Sequence, residues 1–206
     1  FLVPAQPSQS KVMTEYSVLG AEHIWSGIDH LMFVFGLLLL VGGGARLLWT
    51  ITAFTVGHSI TLALVTLGFL AYPVSLIEFA IALSIFVLAL ELTRKEQAGP
   101  HHRLSLFKRH PWWLAGGFGL LHGMGFAGAL AEIGLPQSNV PLALLFFNVG
   151  IEIGQIAFVL LVFGSWWLLK TVVGSAVFAD RIALRQERLL PIPEYLLGGA
   201  SVMWCI

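Results

Sequence analysis

Long apolar segments dominate this sequence and constrain its fold more than any other feature. Six segments have no lysine or arginine in their interiors and are rich in aliphatic and aromatic residues. A helix needs about 20 mostly apolar residues to cross the hydrocarbon core of a bilayer. The sequence therefore predicts an all-α, polytopic transmembrane helix bundle of about six spans. The predicted spans are 21–42, 47–69, 74–93, 112–132, 141–165 and 193–206, and we expect the short last one to be a truncated span.

The composition excludes several other classes of protein. Hydrophobic residues make up 57% of the chain and charged residues 11%, and the mean hydropathy is +0.87. Soluble domains carry about 25% charged residues, so a water-soluble globule is excluded. The formal net charge is zero and Cys205 is the single cysteine, which excludes a nucleic-acid-binding protein and a disulfide-stabilised scaffold. The expected surroundings of the chain are the lipids of a bilayer.

The basic residues predict how the spans are oriented. Ten of the 11 lysines and arginines lie in three connections, which follow spans one, three and five. Alternating spans place these connections on one side of the membrane, and the positive-inside rule makes that side cytoplasmic. We therefore expect a bacterial inner-membrane protein with its N-terminus on the outer side. The ten residues are Arg46, Arg94, Lys95, Arg103, Lys108, Arg109, Lys170, Arg181, Arg185 and Arg188.

The segments at the edges of the spans receive separate predictions. Residues 1–20 contain Pro4 and Pro7 and are expected to form an irregular outer leader, the end of a missing outer domain. Residues 21–206 are then the transmembrane helical domain. Within it, an amphipathic sequence around 171–190 predicts an interfacial helix on the inner surface. Five tryptophans lie near the predicted inner ends, as is typical of membrane interfaces: Trp49, Trp112, Trp113, Trp166 and Trp167.

Polar side chains inside the predicted spans carry the functional prediction. Ionisable groups at membrane depth are energetically costly and usually mark a pathway or a site. No lysine or arginine lies among them in the spans, so we expect the set to attract a cation, either a metal ion or a proton. The candidate metal ligands are His23, Asp29, His30, His58, His122 and Glu152, and the supporting polar residues are Glu78, Asn148, Gln155 and Ser59.

The depth of each residue in its span predicts how these side chains group. A helix rises about 1.5 Å per residue, so the position of a residue along its span gives its depth in the bilayer. The expected arrangement is a pocket that opens outward, with one group of ligands above another. The deeper group, near the bilayer midplane, is His58, His122 and Glu152, and the shallower group is Asp29, His30 and Glu78.

The types of ligand narrow the choice of metal. Imidazole and carboxylate suit Ni, Co, Zn, Fe and Mn. Met32 and Met124 are the only thioethers near the predicted site, and the single cysteine is far along the chain, which disfavours a soft Cu(I) site. The expected cofactor or cargo is a divalent transition metal ion such as Ni, Co or Zn.

The first span also resembles a known family. The motif HIWSGIDH at 23–30 resembles the His-x-x-x-Gly-x-Asp-His signature of the HupE/UreJ family of membrane proteins, although many members have proline after the first histidine. The later segments TAFTVGHSITLAL, FGLLHGMGFAGAL and FNVGIEIGQ are similar to that family as well, so the resemblance extends over about 20–200. It implies permeation or handling of nickel or cobalt, linked to hydrogenase and urease maturation, with His23, Asp29 and His30 as the signature ligands.

Three classes of function stay open at this point. The first is a metal permease, in which the ion passes from His23 and the Asp29–His30 pair to the midplane group. The second is a metal-dependent intramembrane enzyme, in which the same ligands hold Zn or Fe with one position open for water. The third is an accessory subunit of a larger membrane complex or homo-oligomer. Ligands strung across the membrane favour transport, whereas a closed cluster at one depth favours an enzyme.

Overall fold

The computed structural model describes residues 8–94, 109–133 and 139–173, and the regular structure in these ranges is entirely helical. The predicted all-α class is therefore confirmed for this part of the chain. Three helices, α3, α4 and α6, are long and apolar enough to cross a membrane, and α1 and α2 together pass the same test as a bent pair. The helices are α1 (Gln9–Ser26), α2 (Ile28–Val41), α3 (Ala45–Thr66), α4 (Val74–Arg94), α5 (Pro111–Ile133) and α6 (Val140–Val173).

The first predicted span is broken in the middle. α1 ends at Ser26, α2 begins at Ile28, and the two helices meet at an angle of 77°. The backbone N–H of Gly27 donates to the His23 carbonyl oxygen at 2.9 Å and closes the last turn of α1. The prediction of one continuous helix over 21–42 is therefore wrong, because an apolar composition does not show where a glycine interrupts a helix.

α1 also begins well before the predicted span. The Ser8 hydroxyl accepts the N–H of Lys11 at 3.4 Å and caps the helix. The prediction of an irregular leader is thus wrong from Gln9 onward, although residues 1–7 lie outside the described part of the chain. The physical reason is a buried residue at every fourth position, which gives the helix one face to pack against the bundle. These residues are Val12, Tyr16, Gly20 and Ile24.

The other predicted spans match helices more closely. α3, α4 and α5 agree with 47–69, 74–93 and 112–132 to within three residues at each end. α6 continues to Val173, beyond the predicted end at 165, because the sequence after it stays apolar. The predicted span 193–206 and the part of the predicted interfacial helix after Val173 lie outside the described residues.

Two pairs of helices cross at glycines with their backbones in contact. In the α3–α5 pair, a Cβ on Gly57 would overlap the carbonyl oxygen of Gly116, and one on Gly119 would overlap that of Phe54. Small residues let membrane helices approach this closely. The α1–α6 pair is built in the same way, with Gly20 against the Phe147 carbonyl and Gly150 against the Ser17 carbonyl.

The contacts also fix the relative directions of the helices. α3 and α5 run parallel, since Ala53 faces Gly116 and His58 faces Gly123. α6 runs opposite to α3, since Gly43 faces Phe163 whereas Thr52 is bonded to Glu152. These directions are the ones expected when successive membrane spans alternate in direction. It also puts the first turns of α3 and α5 at the same end of the bundle as the end of α6, where five tryptophans lie: Trp49, Trp112, Trp113, Trp166 and Trp167.

The exterior of the bundle is apolar, as expected in lipid. Large side chains such as Phe69, Trp113 and Val172 are 72%, 77% and 75% exposed. Contiguous apolar surface of this extent is rare on soluble monomers. Inside, one hydrophobic cluster joins α2, α3, α4, α5 and α6, and a second joins α1, α3 and α6. The polar site described below lies where α1, α2, α3 and α5 meet.

The glycine crossing of α3 and α5 gives a prediction for stability. Gly57→Ala is expected to destabilise the fold by about 1–3 kcal/mol, the usual result of overpacking, because its Cβ would overlap a backbone oxygen that cannot rotate away. Thermal unfolding in detergent measures the effect. Gly117→Ala is the matched control, since a Cβ there meets no atom within 4 Å. Equal stability of the two variants would contradict the close crossing.

Candidate metal centre

The break at Gly27 positions the first two candidate ligands. Asp29 and His30 lie in the first turn of α2, where unpaired N–H groups and the helix dipole favour a carboxylate. Gly27 itself has no room for a side chain. A Cβ there would lie 2.8 Å from His30 Nδ1 and 3.0 Å from Asp29 Oδ1. The absence of a side chain at Gly27 therefore leaves space for these two polar groups.

Asp29, His30 and His122 come together in one cluster. Asp29 Oδ1 is 3.2 Å from His30 Nδ1, and Asp29 Oδ2 is 3.7 Å from His122 Nδ1. One ligand atom from each residue lies within 4.8 Å of the other two, and this is the only such group of three among the described residues. His30 and His122 are 4% and 1% exposed. Two imidazoles and a carboxylate at this spacing form a set that fits a divalent transition metal ion.

The hydrogen bonds around His122 indicate which of its nitrogens faces the cluster. The Ser84 hydroxyl donates to the Ile81 carbonyl oxygen at 2.6 Å, and its oxygen lies 3.3 Å from His122 Nε2. Because the single hydroxyl proton is already used, His122 Nε2 is assigned as the donor to Ser84. A neutral ring then has its lone pair on Nδ1, which faces Asp29. Ser84 thus holds the ring with the Nδ1 lone pair toward Asp29, which is how outer hydrogen bonds commonly orient histidines in metal sites.

His23 and His58 lie next to this cluster. The His23 ring centroid is 4.6 Å from that of His30 and 6.0 Å from that of His58, and the His30 and His58 centroids are 5.8 Å apart. His58 is completely buried. Neither of its ring nitrogens has a hydrogen-bond partner in the described structure, and the same holds for Nε2 of His23 and of His30. Buried polar atoms without a protein partner are rare in proteins, so these ring nitrogens are available to bind a water or an ion.

A small polar cavity gives access to the cluster. Its volume is about 170 Å³. Glu78, near the start of α4, is exposed, so it lies at the edge of this cavity and adds a second carboxylate. The residues that line it are His23, Asp29, His30, Glu78, Ile81, His122, Gly125 and Phe126. His58 is not among them, and so lies deeper than the residues that a cation in the cavity would meet first.

Glu152 and Gln155 contact α3 on the other side of His58. The Thr52 hydroxyl donates to Glu152 Oε1 at 2.6 Å, and the Thr55 hydroxyl lies 3.0 Å from Gln155 Oε1. Thr55 precedes His58 by about one turn and Thr52 by about two turns, which is about 4.5 Å and 9 Å along the helix axis. These pairs therefore extend the polar groups from the histidines toward the tryptophan-rich end of the bundle.

The last two supporting residues bond within their own helices. Asn148 Nδ2 donates to the Leu144 carbonyl oxygen at 2.8 Å, and the Ser59 hydroxyl donates to the Thr55 carbonyl oxygen at 2.7 Å. Asn148 is buried, and its Oδ1 has no partner in the described structure. Neither residue is part of the three-ligand cluster.

The three residues that the structure brings together are not the three of the predicted midplane group. The sequence placed His122 with His58 and Glu152, below the Asp29–His30 pair. In the structure His122 joins Asp29 and His30, whereas Glu152 is bonded to Thr52. The reason is the break at Gly27, since a depth counted along a straight helix does not hold beyond a bend of 77°.

Sequence reasoning missed three hydroxyl residues of the site. Ser84, Thr52 and Thr55 bond to His122, Glu152 and Gln155. Hydroxyl side chains in membrane helices commonly bond to their own backbone, so their presence in an apolar segment does not distinguish them. The signal in the sequence was the matching spacing of the two pairs. Thr52 and Thr55 are three residues apart, and so are Glu152 and Gln155.

These features define the class of the protein. It is an integral membrane protein built of apolar helices, with a buried cluster of histidines and an aspartate at a helix break. The chain belongs to the HupE / UreJ protein family, whose model matches residues 2–206. No curated protein and no solved structure matches the chain. The cluster offers suitable ligands for a divalent transition metal ion.

Proposed function

We propose that this protein carries a divalent transition metal ion, Ni²⁺ or Co²⁺, across the bacterial inner membrane, with Asp29, His30 and His122 as its main binding position. The observation that carries the proposal is the convergence of these three side chains beside a broken helix. Many transporters bind their substrates at such discontinuous helices, where backbone ends and side chains meet inside the membrane.

The proposed pathway runs from one end of the bundle to the other. An ion enters the cavity beside Glu78, binds Asp29, His30 and His122, and passes His23 and His58. It continues along the Thr55–Gln155 and Thr52–Glu152 pairs. Conduction needs several sites of limited affinity instead of one tight site, and this series of polar groups provides them. No nucleotide-binding motif occurs in the sequence, so movement is passive or coupled to another ion.

The orientation follows from the distribution of charge. We place the cavity on the outer side and the tryptophan-rich end, which carries Arg46 and Arg109, on the cytoplasmic side. This gives an N-terminus outside and, with residues 193–206 as a further crossing, six spans.

A metal-dependent enzyme is the second candidate. Two histidines and one carboxylate are also the ligand set of several catalytic zinc sites, and Asp29, His30 and His122 lie close together as such a site requires. We favour transport because polar groups continue beyond this cluster, through His58 to Glu152, where an enzyme has no need of them.

Metal content and flux, measured on the same protein, separate the three classes of function. The full chain is purified in detergent, its bound metals are measured by mass spectrometry, and uptake of Ni²⁺ and Co²⁺ is followed in proteoliposomes. We expect bound metal and uptake above that of protein-free vesicles. Bound metal without uptake would indicate the enzyme, and neither would indicate an accessory subunit of a membrane complex.

A further inference from the structure

Beside the Asp29 cluster, the structure has a second group of imidazoles. The rings of His23, His30 and His58 form a triangle with centroids 4.6, 5.8 and 6.0 Å apart. Each ring has a buried nitrogen that has no hydrogen-bond partner among the described residues. Three neutral imidazoles are an established ligand set for a divalent transition metal. The group therefore has the chemistry of a metal site in its own right.

We propose that His23, His30 and His58 form a second cation position, which is distinct from the Asp29, His30 and His122 position and deeper in the protein. The inference rests on the proposed function, since it describes the next position of the same ion. His58 does not line the cavity, whereas His23 and His30 do. An ion that moves from the first position to the second thereby leaves the cavity and becomes enclosed.

His30 belongs to both positions and connects them. Its Nδ1 lies 3.2 Å from Asp29 Oδ1, on the side of the first position, and its Nε2 is buried without a partner. A neutral imidazole has one lone pair on its two nitrogens. It therefore ligates at Nδ1 or at Nε2, but not at both. One ion occupies the two positions in turn, and the move requires His30 to change tautomer. At the first position His30 ligates through Nδ1 and its proton is on Nε2. As the ion leaves Asp29, the Nε2 proton is released to water, Nδ1 takes up a proton from water and donates it in a hydrogen bond to the Asp29 carboxylate, and the Nε2 lone pair becomes available to the ion.

The packing of the helices brings two further imidazoles next to His30. His23 follows Gly20 by three residues, and His122 follows Gly119 by three. These glycines are the points where α1 crosses α6 and α5 crosses α3. Each crossing thus presents one imidazole at a similar distance, with ring centroids 4.6 Å and 5.0 Å from that of His30.

The second position requires movement of its side chains. Its nitrogens do not meet the 4.8 Å spacing that Asp29, His30 and His122 satisfy, so the rings of His23 and His58 must rotate to bind. It also lacks a carboxylate. We therefore expect it to bind more weakly than the first position, as an intermediate on a conduction pathway should.

The test isolates the second position by removing the first. The full chain, without an affinity tag, carries His101→Ala and His102→Ala to remove an adjacent pair of histidines, and Ni²⁺ binding is measured by equilibrium dialysis in detergent. Adding Asp29→Asn and His122→Gln should weaken binding by about 10–100-fold and leave one ion per chain. A further His58→Gln should abolish this residual binding. His58→Asn repeats this test with a second substitution at the same position. Size-exclusion profiles and thermal unfolding check that each variant is folded.

The controls distinguish this inference from the proposed function. His110→Ala, in the same background, should keep the residual binding, because His110 is exposed and contacts Trp112. If the Asp29→Asn/His122→Gln protein binds no Ni²⁺, or if its binding survives His58→Gln and His58→Asn, the second position is refuted while the first stands. If the parent protein binds no Ni²⁺, the proposed function fails and the second position fails with it.

Discussion

Asp29→Asn is expected to weaken Ni²⁺ binding by about 10–100-fold, which is about 1.4–2.8 kcal/mol. The substitution keeps the shape and one acceptor oxygen but removes the only carboxylate of the three-residue cluster. Folding should survive, because Asp29 contacts His30 and His122 and pairs with no lysine or arginine among the described residues. Titration of the purified variant with Ni²⁺ measures the change.

Glu22→Gln is the matched control for this experiment. Glu22 is exposed on α1 and does not line the cavity, so neutralising it should leave the affinity within about twofold. Equal affinities of the Asp29→Asn variant and the wild type would remove Asp29 from the site. A similar loss in both variants would indicate a general effect of charge on the surface.

Removal of His30 and His122 should show that the two rings bind one ion. His30→Ala and His122→Ala are each expected to weaken Ni²⁺ binding by about 10–100-fold. The double variant should lose less than the sum of the two free energies, by about 0.5–3 kcal/mol, because the second loss acts on a site that is already disrupted. Calorimetric titration of the four proteins gives the coupling energy.

A distant histidine provides the reference for additivity. His110 lies just before α5, at the end of the bundle opposite the cavity, and is exposed. Its replacement together with that of His30 should be additive within about 0.3–0.5 kcal/mol. If His30 and His122 are also additive to this degree, the two histidines serve separate sites.

The sequence predicted three of the helices closely and named the three residues that the structure brings together, for a clear physical reason. In a membrane protein, the length of an apolar segment predicts a span, and an ionisable residue inside that segment predicts a functional site. Such a residue has few functions in a span other than binding or conduction. α3, α4 and α5 therefore matched their predicted spans, and Asp29, His30 and His122 were all among the candidates before their geometry was known.

Which of these residues lie together could not be predicted from the sequence. It depends on the 77° break at Gly27 and on the crossings at Gly20 and Gly119, and a glycine in a span is compatible with a break, a crossing or neither. Gly117, for example, has open space around its Cβ position, although it lies between two glycines in close contact with α3. The side-chain contacts of Ser84 were equally unpredictable, because they require the partner helix to be placed first.

Uptake of Ni²⁺ into proteoliposomes by the wild type, Asp29→Asn and Glu22→Gln proteins tests the central claim most directly. The wild type and Glu22→Gln should accumulate the ion at similar rates, well above protein-free vesicles. The initial rate of Asp29→Asn should fall at least tenfold at Ni²⁺ concentrations below saturation, in line with its weaker binding. Equal initial rates for Asp29→Asn and the wild type would contradict a pathway through the cluster of Asp29, His30 and His122.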